Sequence, residues 1–232
     1  MPDLRAASER ASLRPRGSAL SRRTLMVGAG AGFAALSLGG ASLLHGRPAL
    51  AAPQIDQPAP EFDVTDTNGA SYRLADLRGK VVVLEWTNAD CPYVRKHYGS
   101  SNMQDLQREA TAAGIVWLSV ISSAPGTQGH VSAEEANRLT ESRGAAPSGV
   151  VLDPEGTLGR AYEAKTTPHM YVIDQAGVLR YMGGIDSIPS KDVDDLAEAE
   201  PYLKNAFLAV ASGQKVTNAV TRPYGCSVKY SS

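Results

Sequence analysis

The sequence predicts an α/β domain with a central mixed sheet flanked by helices, and three observations lead to it. Two nearly continuous apolar runs of strand length, Val81–Trp86 and Ile115–Ile121, are separated by a segment with helical spacing. A helix signal opened by a capping box then leads into a third apolar run at Val150-Val151-Leu152. Last, Met170–Ile173 and Val178–Tyr181 flank the turn Asp174-Gln175-Ala176-Gly177, which adds an antiparallel hairpin to strands otherwise joined through helices. Strand, helix, strand, helix, strand, hairpin and helix make one domain, with no internal repeat and no domain-sized linker.

Taken in order, Ala52–Ala59 is rich in proline and reads as an extended arm. Glu61–Leu74 holds Thr67-Asn68-Gly69 between Phe62-Asp63-Val64 and Ser71-Tyr72-Arg73-Leu74, the signature of a hairpin around an Asn-Gly turn. Val81–Trp86 follows as a central strand. A helix opens at Cys91-Pro92, because proline suits the first helical position, and Gly99-Ser100-Ser101 bends or breaks it. Met103, Leu106 and Ala110 resume the helical pattern, which Gly114 stops. After Ile115–Ile121, Ser132 and Glu135 form the capping box of a helix that reaches about Arg143. Asp153-Pro154-Glu155-Gly156 closes the third strand with a turn. A last helix is expected from about Val193 to Ala211, and Val216–Ser232 is expected to be irregular or extended.

Charge divides the chain. Its 232 residues carry a net charge of −1, which gives no reason to expect nucleic acid as a partner. Residues 1–51, however, hold seven arginines against two acids, whereas residues 52–232 are net acidic. Ser21-Arg22-Arg23-Thr24 is followed by the uncharged run Leu25–Leu44 and by the small residues Ala49-Leu50-Ala51. This resembles a bacterial twin-arginine export signal, with cleavage expected before Ala52 and a periplasmic product. The alternative, a retained membrane anchor, is disfavoured because the run is mostly Gly, Ala and Ser, leaving no stable insertion once the signal is cleaved. Gly28–Gly32 lies inside that run, follows no strand and is not read as a phosphate loop.

Two cysteines cannot build a paired-cysteine zinc cluster, but they can make one disulfide in an oxidising compartment. Cys91 stands directly before a helix, where free backbone N–H groups and the helix dipole favour a thiolate, and Arg95, Lys96 and His97 are near enough in sequence to add to this. The alternative for such a cysteine is a small buried hydrophobe.

Val83-Leu84-Glu85-Trp86-Thr87-Asn88-Ala89-Asp90-Cys91-Pro92-Tyr93-Val94 resembles the strand, loop and helix of the thioredoxin superfamily. Thr166-Thr167-Pro168-His169-Met170-Tyr171-Val172, with Pro168 following Cys91 by 77 positions, is similar to that superfamily's cis-proline segment. The resemblance spans roughly residues 54–212 and points to the redoxin branch, which includes the alkyl hydroperoxide reductase/thiol-specific antioxidant proteins and periplasmic thioredoxin-like proteins. It implies a thioredoxin-like fold with an amino-terminal hairpin extension. It also implies Cys91 as nucleophile, Thr167 and Pro168 presenting substrate backbone, Pro92 and Asn88 beside them, and Glu85 as a buried proton-transfer acid.

The sequence departs from both redox patterns. The second cysteine of a dithiol reductase would stand at Val94. The Pro and Thr of the peroxide-activating loop are replaced by Leu84 and Asn88, with Thr87 one position off. Cys226, 135 positions after Cys91, is the candidate resolving cysteine, within one chain or across a homodimer; a static disulfide is the alternative. The expected activity is thiol-disulfide exchange with a protein or small-molecule partner. A peroxiredoxin-like peroxidase and a redox-inert or copper-binding module, through Cys91, His97 and His169, are the alternatives. No cofactor and no metal is required. His130, in a Gly-rich loop, is expected to be solvated, and Trp86 and Tyr93 to pack.

Overall fold

The computed structural model describes residues 52–231, so the export-signal reading of residues 1–51 lies outside the described residues. The Asn-Gly hairpin forms as expected: β1 (Asp63–Thr65) pairs antiparallel with β2 (Ser71–Arg73). Asp66 fixes the turn by accepting from the Asn68 and Ala70 amides, and Gly69 takes the left-handed conformation the turn needs, at φ 87°.

The apolar runs become β3 (Val82–Trp86), β4 (Val116–Ile121) and β5 (Gly149–Leu152), which lie parallel. Between them run α1 (Pro92–Gly99), α2 (Asn102–Ala112) and α3 (Ala133–Ser142). The break between α1 and α2 falls where expected, at Ser101, whose φ of 65° no helix accommodates. Ser132 caps α3 by accepting from the Glu135 amide.

Two further short elements follow, α4 (Thr157–Ala161) and β6 (Thr166–Thr167). Then come β7 (His169–Ile173), β8 (Leu179–Gly183), α5 (Tyr202–Ala211) and β9 (Cys226–Ser227).

The main sheet has the order β5-β4-β3-β7-β8, with β7 antiparallel to β3 and to β8. β3 is central and every one of its residues is buried, which explains its unbroken apolar run. One face of the sheet, through Leu84, Trp86, Leu118 and Tyr171, packs under Phe62, Leu74 and Leu158. The other, through Val83, Trp117 and Met170, packs under Met103 and Leu106 of α2 and Leu203 and Phe207 of α5. This is the thioredoxin-like arrangement, with the hairpin extension at its amino-terminal end.

Three expectations need correction. The final helix starts at Tyr202 rather than near Val193, because Pro201 lacks an N–H to continue a helix and restricts the residue before it; only a short 3-10 turn, Asp194–Ala197, precedes it. The turn after β5 runs directly into α4, capped by Asp153, whose carboxylate accepts from the Leu158 and Gly159 amides. The tail is not wholly irregular: β9 pairs antiparallel with β6, in the register Thr167 with Cys226.

Candidate active site

The loop from β3 to α1 is folded by Asn88. Its side-chain oxygen accepts from the Asp90 amide at 2.8 Å, its Nδ2 donates to the Gln128 carbonyl, and its own carbonyl accepts from the Cys91 amide at 3.1 Å. Asn88 is buried with its polar atoms engaged inside the loop. Cys91 thereby stands at the N-cap of α1, with exposed Pro92 at the first helical position.

The Cys91 side chain is fully buried. Its thiol donates to the Thr167 carbonyl at 3.0 Å, and the Thr167–Pro168 peptide is cis. Register then brings Cys226 opposite Thr167, whose carbonyl accepts from the Cys91 thiol, so the two cysteines become neighbours and each acts on the other's acidity although 135 positions separate them in sequence. Gly225 makes the approach possible: at φ 132°, a β-carbon there would overlap the Thr167 carbonyl oxygen. Both cysteines are free thiols.

Their surroundings pull their acidities apart. Burial pushes Cys91 up, but hydrogen bonds from the Cys226 thiol, the Val94 N–H, the Thr167 hydroxyl and the Cys226 N–H outweigh it, and its pKa falls below the ordinary thiol value. Cys226 is pushed up to about 11 by burial and by the neighbouring Cys91 sulfur, with Lys229 and Lys191 opposing. Within the pair, Cys91 is therefore the more acidic sulfur and Cys226 the less acidic one.

The three basic residues expected to help do not do so. Arg95 turns back to the Ala89 carbonyl and the Asp90 carboxylate at 3.1 Å. Lys96 and His97 are fully buried and face Asp186 instead, at 3.9 and 3.8 Å.

Glu85 is also fully buried, with its carboxylate inside a cage of donors. Tyr98 donates to Oε1, while Gln107, Trp117 Nε1 and Ser119 donate to Oε2, all between 2.9 and 3.1 Å. Among the described residues, no hydrogen bond joins this cage to Cys91; the thiol's side-chain bond goes to Thr167.

His169 is held by the Lys165 amide and the Tyr171 hydroxyl, both at Nδ1, and burial, with Lys165, lowers its pKa to about 3. His97 is lowered to about 3 by burial and by Lys96. Among the described residues no three His, Cys, Asp or Glu side chains form a metal-holding group, so Cys91, His97 and His169 are not brought together as copper ligands. His130 is exposed, as expected, with Nδ1 3.1 Å from the Ser123 carbonyl oxygen. Trp86 is fully buried and donates to Ser122, and Tyr93 packs on Tyr224.

Sequence reasoning missed Asp186, Tyr224 and Gly225. The Pro-Tyr-Gly run before Cys226 is the one signal of a shaped, close approach there.

A family model described as the AhpC/TSA family matches residues 55–182. No curated protein matches the chain. Among solved structures, a hypothetical protein from Sinorhizobium meliloti superposes with a TM-score of 0.64 at 18% identity, over 78% of this chain and 97% of that one. An uncharacterized conserved protein from Geobacillus kaustophilus gives 0.63 at 22% identity, over 77% and 93%. A candidate protein disulfide isomerase from Bacteroides thetaiotaomicron gives 0.51 at 20% identity, over 69% and 91%. At these identities the likeness is one of fold.

Proposed function

The chain belongs to the AhpC/TSA family, and on that premise we propose that it is an exported thiol-dependent oxidoreductase that exchanges disulfides through Cys91 and Cys226. The observation that carries this reading is the meeting of the two cysteines at the start of α1, with the lowered pKa on Cys91 and the raised one on Cys226. A cysteine kept only as a packing residue needs neither a helix N-terminus nor a second thiol against it.

In the forward direction the Cys91 thiolate attacks a substrate disulfide, forming a Cys91–substrate disulfide and releasing one substrate thiolate. Cys226, as its thiolate, then attacks the Cys91 sulfur, and the second substrate thiol leaves. The substrate has gained two electrons and the chain holds a Cys91–Cys226 disulfide, which an external thiol reductant of the compartment reopens. Run in reverse, the same steps oxidise a substrate dithiol. Thr167 and Pro168 present backbone beside the sulfur, and Asn88 and Pro92 shape the loop from which it projects. The arginine pair and small-residue site in residues 21–51 support delivery to the periplasm, with the mature chain starting at Ala52.

A peroxidase on the same pair would convert the Cys91 thiolate and hydrogen peroxide to a sulfenic acid and hydroxide, with Cys226 closing the disulfide and releasing water. Leu84 and Asn88 stand where the peroxide-activating residues would be, which favours disulfide exchange.

Turnover of a protein disulfide and of hydrogen peroxide, each with a thiol donor, tests the proposal. We expect the disulfide to be the better substrate, Cys91→Ser to abolish turnover, and Cys226→Ser to accumulate a mixed disulfide on Cys91, seen as added mass that reductant removes. Full activity in Cys91→Ser overturns the reading, and preferred turnover of peroxide replaces it with the peroxidase.

A further inference from the structure

Cys226 lies in a carboxy-terminal segment that joins the ladder β6–β9, which is two residues long. So short a ladder does not by itself fix a side chain. Val228, Lys229 and Tyr230 fasten the chain after it, through the Lys165 carbonyl, the Ala124 amide and the Ala164 carbonyl, and Tyr224 fastens the chain before it. Tyr224 is buried, and its hydroxyl donates to Asp186 Oδ1 at 2.5 Å. The same hydroxyl lies 3.2 Å from His97 Nε2, while Asn102 Nδ2 donates to His97 Nδ1 at 2.9 Å. The Tyr224 ring meets Tyr93 edge to face, with centroids 5.8 Å apart.

Tyr93 and His97 both belong to α1, the helix that Cys91 caps. Asp186 lies beyond β8 and is 4% exposed; its Oδ1 also accepts from the Ile188 amide, whereas its Oδ2 has no hydrogen-bond partner. The fully buried Lys96 ammonium stands 3.9 Å from Oδ2. A buried acid and a buried lysine this far apart gain little stability from each other. Asp186 does, however, offer a strong acceptor where the tail passes over α1, two residues before Cys226.

Resting on the two-cysteine reading above, we infer that Tyr224 is a positioning residue: its hydroxyl, clasped by Asp186 and His97, holds Cys226 in reach of the Cys91 sulfur. The ring supplies packing against α1, and the hydroxyl supplies direction. A cysteine two residues away is thereby presented at high effective concentration.

The test equilibrates purified wild-type and Tyr224→Phe protein with mixtures of glutathione and glutathione disulfide. After an acid quench, intact mass gives the bridged fraction. The reaction converts two protein thiols and one glutathione disulfide to the Cys91–Cys226 disulfide and two glutathione thiols, so its equilibrium constant measures the effective concentration of one cysteine at the other. Loss of one hydrogen bond to a buried carboxylate should lower that constant about tenfold. The ring and its packing remain, so the far-UV spectrum should change little, while the thermal midpoint falls modestly with the donor that buried Asp186 loses.

A bridged wild type with an unchanged constant in Tyr224→Phe overturns the anchor and leaves the two-cysteine reading standing. A wild type that forms no bridge at any ratio overturns that reading instead. The anchor is then judged in a Cys91→Ser background: a rise of about tenfold in Cys226 alkylation by iodoacetamide on adding Tyr224→Phe supports it, and no rise overturns it. Should Tyr224→Phe fail to fold, Asn102→Ala, which removes only the support behind His97, is read the same way: a shift of about threefold supports the anchor, and no shift overturns it.

Discussion

Glu85 carries a carboxylate into the middle of β3, where burial without a counter-charge would cost several kcal/mol if its oxygens were unpaired. Four donors from α1, α2 and β4 meet that cost: Tyr98, Gln107, Trp117 and Ser119. The carboxylate therefore ties the two helices that follow Cys91 to the sheet behind them, and we propose this as its main role. Glu85→Gln keeps the shape but turns an NH₂ group towards donors, leaving at least one pair unsatisfied. Stability should fall by about 1–3 kcal/mol, measured by urea unfolding. The pH profile of Cys91 alkylation should not move. A profile displaced by the substitution would instead assign the carboxylate the proton-transfer role that the family resemblance implies.

At the scale of elements, the decisive contact is the short β6–β9 ladder, and it depends on a residue without a side chain. Gly225 has φ 132° and no room for a β-carbon beside the Thr167 carbonyl. Gly225→Ala should cost on the order of 1–3 kcal/mol of local strain and lift the tail from the site. The five-stranded sheet, which shares no residue with that ladder, should be untouched. Hydrogen exchange gives the measurement: the Val228 amide, which donates to the Lys165 carbonyl, should lose protection, while amides of β3 and β4 keep theirs. Retained protection at Val228 would show that the tail docks without the glycine.

The same contrast explains what the sequence discloses. β3, β4 and the hairpin are legible because their signals are local: an apolar run, an Asn-Gly turn, a proline after Cys91. The capping box of α3 is legible for the same reason. α4 is only five residues long, too short to display a period, and its cap at Asp153 also begins a plausible turn. The expected final helix is longer than the observed one because Val193–Ala211 keeps helix-forming residues up to Pro201, where the proline outweighs them. Cys91 could be singled out from its own neighbours. Asp186 could not, because its importance comes from Tyr224 and Lys96, which are distant in sequence and adjacent only once the sheet forms.

At the scale of the whole molecule, two buried neutral histidines link the fold to pH. His97 lies in α1 under the tail, and His169 opens β7 beside Pro168; both have pKa values lowered from 6.5 to about 3, chiefly by burial. In the unfolded chain each imidazole takes up a proton as pH falls through about 6.5, whereas in the fold neither does until about 3. Between those values the unfolded state binds more protons, so acid favours unfolding. Stability should thus be intact above about pH 6.5 and fall below it by up to about 1.4 kcal/mol per pH unit for each histidine. Asp186 opposes this in part, because burial raises its carboxyl pKa and acid therefore favours the folded state at that group. Urea unfolding from pH 7 to 4.5 measures the slope. His169→Asn, which keeps an acceptor near the Lys165 amide and the Tyr171 hydroxyl, should remove about half of it. A flat profile, or a slope that His169→Asn leaves unchanged, would show that the histidines are not the linked groups. The consequence reaches the thiols, since opening of the tail exposes His97, frees it from Tyr224 and lets it take up a proton between about pH 6.5 and 3, so acid favours the opened tail. Loosening of the tail by acid should therefore precede loss of the sheet, and the Val228 amide should exchange freely at a pH where the β3 amides are still protected.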